Sequence, residues 1–158
     1  MNRLIPTAVT ALLALSIGCV ASLNSDPDPE ANKAVVRDYL DRIVNQGDMD
    51  AWPELIAGET LSFNGQPMSR SDLERMRATF RGILHDMRVE VVEQIAEADT
   101  VASRVTVTGT HLGDYMGLKA SGKELSFGGI TFDRLRDGKV VEVWHEMDIW
   151  GTLLMASD

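Results

Sequence analysis

The chain has 158 residues, with 24 acidic against 15 basic side chains, a net charge of −9 and one cysteine. That length suits a single domain, and so negative a surface repels nucleic acid and anionic lipid. A lone cysteine excludes an intrachain disulfide.

Met1-Asn2-Arg3 and the apolar run Leu4 to Ile17 have the form of a secretory leader, too short to span a bilayer comfortably as a mature helix. Leu15-Ser16-Ile17-Gly18-Cys19 resembles a bacterial lipobox, so residues 1–18 are expected to be removed and Cys19 to carry lipid as the first mature residue. Ordinary cleavage after Ala21 is the competing reading. Residues 19–29, with Ser25-Asp26-Pro27-Asp28-Pro29, read as a tether, and residues 30–156 as the folded domain. The expected location is extracytoplasmic, periplasmic or membrane-anchored, with the lipid as the only contact to the membrane.

Asp28-Pro29-Glu30 is a helix start, an N-cap acid before a first-turn proline. Val35, Val36, Tyr39, Leu40, Ile43 and Val44 then form one apolar stripe that ends at Gly47. Asp48 is placed to cap a short second helix through Trp52 and Leu55, and Thr60–Phe63 reads as a strand ended by Asn64-Gly65. Ser71 with Glu74 predicts a capping box for a third helix, closed by His85-Asp86.

Long strands follow. Met87–Glu97 shifts parity near Val92, which predicts a bulge. Val101–His111 alternates cleanly and turns His111 to the buried side. Lys123–Arg136 is expected to bend at Gly128-Gly129, which leaves the face of Arg134 undecided. The last strand follows Asp137-Gly138. Without a bulge, Val140, Glu142, Trp144, Glu146, Asp148 and Trp150 share one face, and Val141, Val143, His145, Met147 and Ile149 the other. Carboxylates interleaved with two tryptophans mark the first face as the one lining a pocket. The apolar second face then covers a partner, and a homodimer packed through the sheets is expected, with His145 in its interface. Helices first and a long antiparallel meander after them make an α+β fold: a curled, mostly antiparallel sheet wrapped around N-terminal helices, enclosing a cone-shaped cavity.

Asn45-Gln46-Gly47-Asp48, His85-Asp86-Met87-Arg88-Val89, Thr108-Gly109-Thr110-His111-Leu112-Gly113, Ser121-Gly122-Lys123 and Asp137 to Trp144 with Asp148 beyond occur in the order and spacing of one family. From about Asn32 to Leu154 the chain resembles the SnoaL-like polyketide cyclase and ester cyclase family, of the cone-shaped α+β superfamily that includes ketosteroid isomerase and scytalone dehydratase. The resemblance implies intramolecular aldol-type ring closure of a carbonyl-containing substrate, without metal or organic cofactor. It also implies Asp148 as the acid that removes a proton next to a carbonyl.

His111 and Arg134 are candidates for the enolate oxygen. Trp144, Glu146, Trp150, Phe132, Phe63 and Trp52 are candidate pocket lining. Each has a plainer reading: Asp148 as a cap for the last turn, Glu146 in a salt bridge with Arg134 or Arg104, His111 as a satisfied inner histidine. The chain departs from the family in having Lys119-Ala120-Ser121-Gly122 after His111 and Met155-Ala156-Ser157-Asp158 at its end. The other function class open to it is an exported lipoprotein that holds a hydrophobic small molecule without turning it over.

Overall fold

A computed structural model describes residues 28–156. The leader, Cys19 and the tether up to Pro27 lie outside the described residues. Helix α1 (Pro29–Asp38) starts where its cap dictates: the Asp28 carboxylate accepts the Glu30 N–H at 3.0 Å. From Tyr39 to Gln46 the helix widens into π-type hydrogen bonding and stops at Gly47, whose φ is 74° and whose N–H donates to the Arg42 carbonyl. The wider turn re-phases the stripe, so Tyr39, Leu40, Ile43 and Asn45 are all buried. Asp48 pairs with Arg42 at 3.1 Å instead of capping a helix. The helix that follows, α2 (Trp52–Leu55), lasts one turn because Ile56 is drawn into a parallel bridge with Val140.

Strands β1 (Thr60–Phe63) and β2 (Gln66–Ser69) form a hairpin through Asn64 and Gly65, both at positive φ as a tight primed turn requires. The capping box of α3 (Arg70–Ile83) is Ser69 with Asp72, two residues before the expected pair. Ser69 still has extended dihedrals as the end of β2, whereas Ser71 is already inside the helix. Strand β3 (Leu84–Glu97) begins at once, so His85 and Asp86 open a strand and do not close the helix. Strands β4 (Thr100–His111), β5 (Glu124–Arg136) and β6 (Lys139–Met147) complete the sheet before helix α4 (Ile149–Ala156). The order is β2-β1-β6-β5-β4-β3, antiparallel throughout except for β1 against β6. The architecture is α+β, as expected.

Two details of register decide which side chains face the helices. The β4–β5 ladder runs from Thr110↔Glu124 to Thr100↔Arg134 without a shift, so Gly128-Gly129 does not break the alternation. Gly129 answers to crowding instead: a Cβ there would lie 2.8 Å from the Met147 side chain. Leu125, Phe127, Thr131, Asp133 and Leu135 therefore point inward, and Phe132 and Arg134 outward.

In β6 the register slips. Leu135 pairs with Val140, but Arg134 pairs with Glu142, which leaves Val141 as an extra residue. Beyond it Val143, His145 and Met147 turn inward and Glu142, Trp144 and Glu146 outward. The assignment made for an unbulged strand is reversed, and the apolar face expected to cover a partner covers the protein's own interior. The large apolar side chains left exposed on the outer face of β5 and β6 are Ile130, Phe132 and Trp144.

Asn45 ties the helical layer to the sheet. Its side chain accepts the Val89 N–H at 2.8 Å and donates to the Val89 carbonyl at 2.9 Å, satisfying both main-chain groups on the free edge of β3. Asn45→Ala strands both buried groups, and urea unfolding should show a loss of roughly 2–4 kcal/mol. A second buried polar pair lies on β5, where the Thr131 hydroxyl donates to Asp133 Oδ2 at 2.7 Å and Oδ1 has no hydrogen-bond partner among the described residues. Burial outweighs that hydrogen bond and pushes the Asp133 carboxyl up to about 7, from an unfolded value of 3.8. A folded pKa above the unfolded one gives stability that is complete below pH 3.8 and lost as pH rises through 7. Asp133→Asn abolishes that dependence. Its stability relative to wild type should improve by about 4 kcal/mol between pH 4 and pH 8 in chemical unfolding.

Candidate functional site

A cavity of about 340 Å³ lies between the inner face of the sheet and the helices. Leu40, Ile43 and Val44 of the π-helical segment and Leu73, Met76 and Phe80 of α3 form one wall, and Val89, Val107, Phe127 and Val143 the sheet side. Against this apolar lining stand a few polar groups: Tyr39, Asn64, Arg77, Tyr115, Thr131, His145 and Glu146. A mostly apolar hollow with a few placed polar groups is the usual form of a small-molecule site.

His145 is the group best suited to move a proton there. The Val141 bulge turns its ring inward, Phe63 meets that ring edge-on at 4.6 Å between centroids, and Asn64 Oδ1 accepts the His145 main-chain N–H at 2.9 Å. No hydrogen bond to another described residue occupies either ring nitrogen. Burial lowers the imidazole pKa from its ordinary 6.5, a shift that the charge of Glu146 partly opposes. The ring is therefore neutral at pH 7 and able to accept a proton.

Tyr39 lies in the same cavity, and burial, then the nearby Asp133 charge, raises its phenol, so it stays a donor. Thr131, also in the wall, is oriented by its bond to Asp133. Arg77 sends Nε to the Val44 carbonyl at 2.8 Å and Nη2 to that of Asn45 at 3.0 Å. Burial, then the like charge of Arg81, draws its pKa down, against a smaller pull from Glu74.

The residues singled out from sequence are not gathered in one place. Asp148 is exposed and caps α4, its Oδ1 accepting the Gly151 N–H at 3.1 Å. It does not line the cavity. Arg134 is on the outer face between Asp99 and Glu142, at 4.0 and 3.8 Å. His111 is fully buried, as its parity predicts, but at the end of β4 outside the cavity lining. The Ser121 N–H donates to its Nδ1 at 3.3 Å, which places the ring proton on Nε2, an atom without a hydrogen-bond partner among the described residues.

Of the expected lining, Phe63 and Glu146 take part, Glu146 while still exposed on the outward side of β6. Trp144 and Phe132 face outward, Trp144 donating to Glu142 at 2.8 Å. Trp150 is exposed on α4, and Trp52 is buried in α2 with its indole N–H on the Gly58 carbonyl. For Trp144 and Phe132 the reason is parity, set by the bulge and by the unbroken β5, whereas Trp150 and Trp52 lie in helices. Sequence reasoning passed over Tyr39 and Arg77 as functional groups, although Tyr39 sits on the stripe already read and Arg77 is one turn beyond Leu73 on the apolar face of α3. Among the described residues, no group of three or more His, Cys, Asp or Glu side chains is placed to hold a metal ion.

Solved structures share this architecture. AclR from Streptomyces galilaeus, described as a candidate hydroxylase, is 26% identical, with 82% of this chain and 97% of that one covered at a TM-score of 0.66. IdmH from Streptomyces antibioticus, described as a candidate polyketide cyclase, is 24% identical over 79% of this chain and 96% of its own, at a TM-score of 0.67. A SnoaL-like polyketide cyclase from Agrobacterium tumefaciens is 21% identical over 78% and 95%, at 0.68. The last two show the fold alone. No curated protein matches the chain. The profile of the SnoaL-like polyketide cyclases matches residues 34–154, nearly the whole described domain, and the chain belongs to that family.

Proposed function

We propose that this chain is an acid–base enzyme of the cyclase type, acting on an apolar, carbonyl-containing small molecule with side chains alone. The observation that carries this reading is an unpaired, partly desolvated imidazole on the wall of an apolar cavity, in a family of cyclases. His145 removes the proton next to a carbonyl, and the enolate oxygen takes a hydrogen bond from Tyr39. The enolate carbon then forms a bond to a second carbonyl carbon of the same molecule. The oxygen of that carbonyl takes the proton back from the imidazolium, so the ring closes without net change in protons. The exposed cap position of Asp148 moves the proton-transfer role expected for it to His145.

That same position of Asp148 favours a second reading, a carrier that binds without turnover. Residues 1–18 and Cys19 support an extracytoplasmic, lipid-anchored placement for either function. A homodimer packed through the sheets would use the outer face of Ile130, Phe132 and Trp144.

Exchange of the α-protons of 2-tetralone for deuterium, followed by NMR, tests proton abstraction without knowledge of the natural substrate. Wild type should accelerate exchange over buffer, and His145→Gln should lower the enzymic rate about 10²–10⁴-fold. Because burial lowers the imidazole pKa from 6.5, the rate should rise with pH to a plateau, with its midpoint below that value. Tetralone bound but exchanging at the buffer rate would contradict the enzyme and support the carrier.

A further inference from the structure

Arg77 and Arg81 lie one turn apart on α3, and neither has a carboxylate within ion-pair distance among the described residues. Arg37, Lys123, Arg136 and Lys139 also lack one, but of these six cations only Arg77 lines the cavity. Both reach the end of the π-helical segment, where Arg77 holds the Val44 and Asn45 carbonyls and Arg81 also donates to Asn45. Carbonyls at a helix C-terminus welcome a cation, and that accounts for three of the donors. It leaves Arg77 Nη1 without a hydrogen-bond partner among the described residues and Arg81 Nε buried with none.

Two like charges side by side repel, and Glu74, which acts on Arg77 through its charge, stays beyond ion-pair distance. The guanidinium of Arg77 is held in place by its two carbonyls and by Gly47, where a Cβ would collide with Cζ and Nη1. It is thus a fixed cation without an ion-pair partner among the described residues, in the wall of a mostly apolar cavity.

We propose that Arg77, backed by Arg81, is the anion-binding end of the cavity, and that its ligand is an apolar molecule bearing a carboxylate. The ligand's carboxylate supplies the charge that the protein withholds, and its ring system occupies the hollow between α3 and the sheet. The inference rests on the cavity being the ligand site, as proposed above, and not on His145 moving a proton.

Calorimetric titration of the full chain with 2-naphthoate and with methyl 2-naphthoate tests it, since the two share one ring system and differ in charge and a single methyl group, and neither has an enolisable proton. The acid should bind wild type at least tenfold more tightly than the ester, and 0.5 M NaCl should weaken the acid alone. Arg77→Met should bring the acid down to the affinity of the ester and leave the ester unchanged, which also shows that the cavity is intact. Should Arg77→Met fail to fold for want of its two carbonyl bonds, Arg81→Gln should still weaken the acid severalfold against an unchanged ester. His145→Gln should keep the full preference for the acid, even if proton exchange is absent in wild type. Equal binding of acid and ester to wild type, no binding of the acid at millimolar concentration, or a preference surviving in Arg77→Met overturns the proposal. Loss of the preference in His145→Gln would assign the charge to the imidazole and overturn it equally.

Discussion

One extra residue in one strand decides what this protein presents to its interior. With Val141 left over between the Leu135–Val140 and Arg134–Glu142 pairs, every side chain of β6 from Glu142 onward changes face. His145 gains a place against Phe63 and the cavity, and the tryptophan–carboxylate ladder of Glu142, Trp144 and Glu146 moves to the outside of the sheet. The bulge is held from both sides. Val140 is fully buried and bridged to Ile56, while Asn64 grips the main chain at His145. A strand pinned at both ends cannot slip back by one residue without exposing Val143 and burying Glu142, which burial energetics forbid.

The helical layer is fixed by comparable means. Widening the helix between Tyr39 and Gln46 places Asn45 opposite the free edge of β3, and the two hydrogen bonds to Val89 anchor helix to sheet. The carbonyls released at the end of that segment are taken up by Arg77 and Arg81, which brings a cation to the cavity wall. The polar features of the site follow from how the helix ends and how the strand bulges. Loops play a smaller part in it than is common for binding sites.

Much of the architecture was legible in the sequence because it rests on short-range chemistry. The Asp28-Pro29 start, the alternation of Val101 to His111, the parity shift in β3 and the Asn64-Gly65 turn are each local signals, and each appears in the structure. The site was less legible, because its key choices depend on pairing between distant residues. Nothing within Lys139–Met147 announces that Val141 will be the unpaired residue; that is set by register against β5 and by the bridge to Ile56. Gly128-Gly129 reads as a bend, but the need is for space at Gly129 beside Met147, a neighbour 18 residues away in sequence. The capping box was misplaced for a similar reason: β2, with Pro67 and little hydrophobic pattern, gave no strand signal, so Ser69 was not seen as its last residue.

The central claim is that His145 is a desolvated base facing the ligand cavity, and a titration of the histidine ring signals by NMR tests it most directly. The His145 resonance, assigned by its loss in His145→Gln, should titrate with a midpoint below the ordinary 6.5 and shift when an apolar ligand fills the cavity. A midpoint at or above 6.5, together with a resonance that ignores the ligand, would contradict the account.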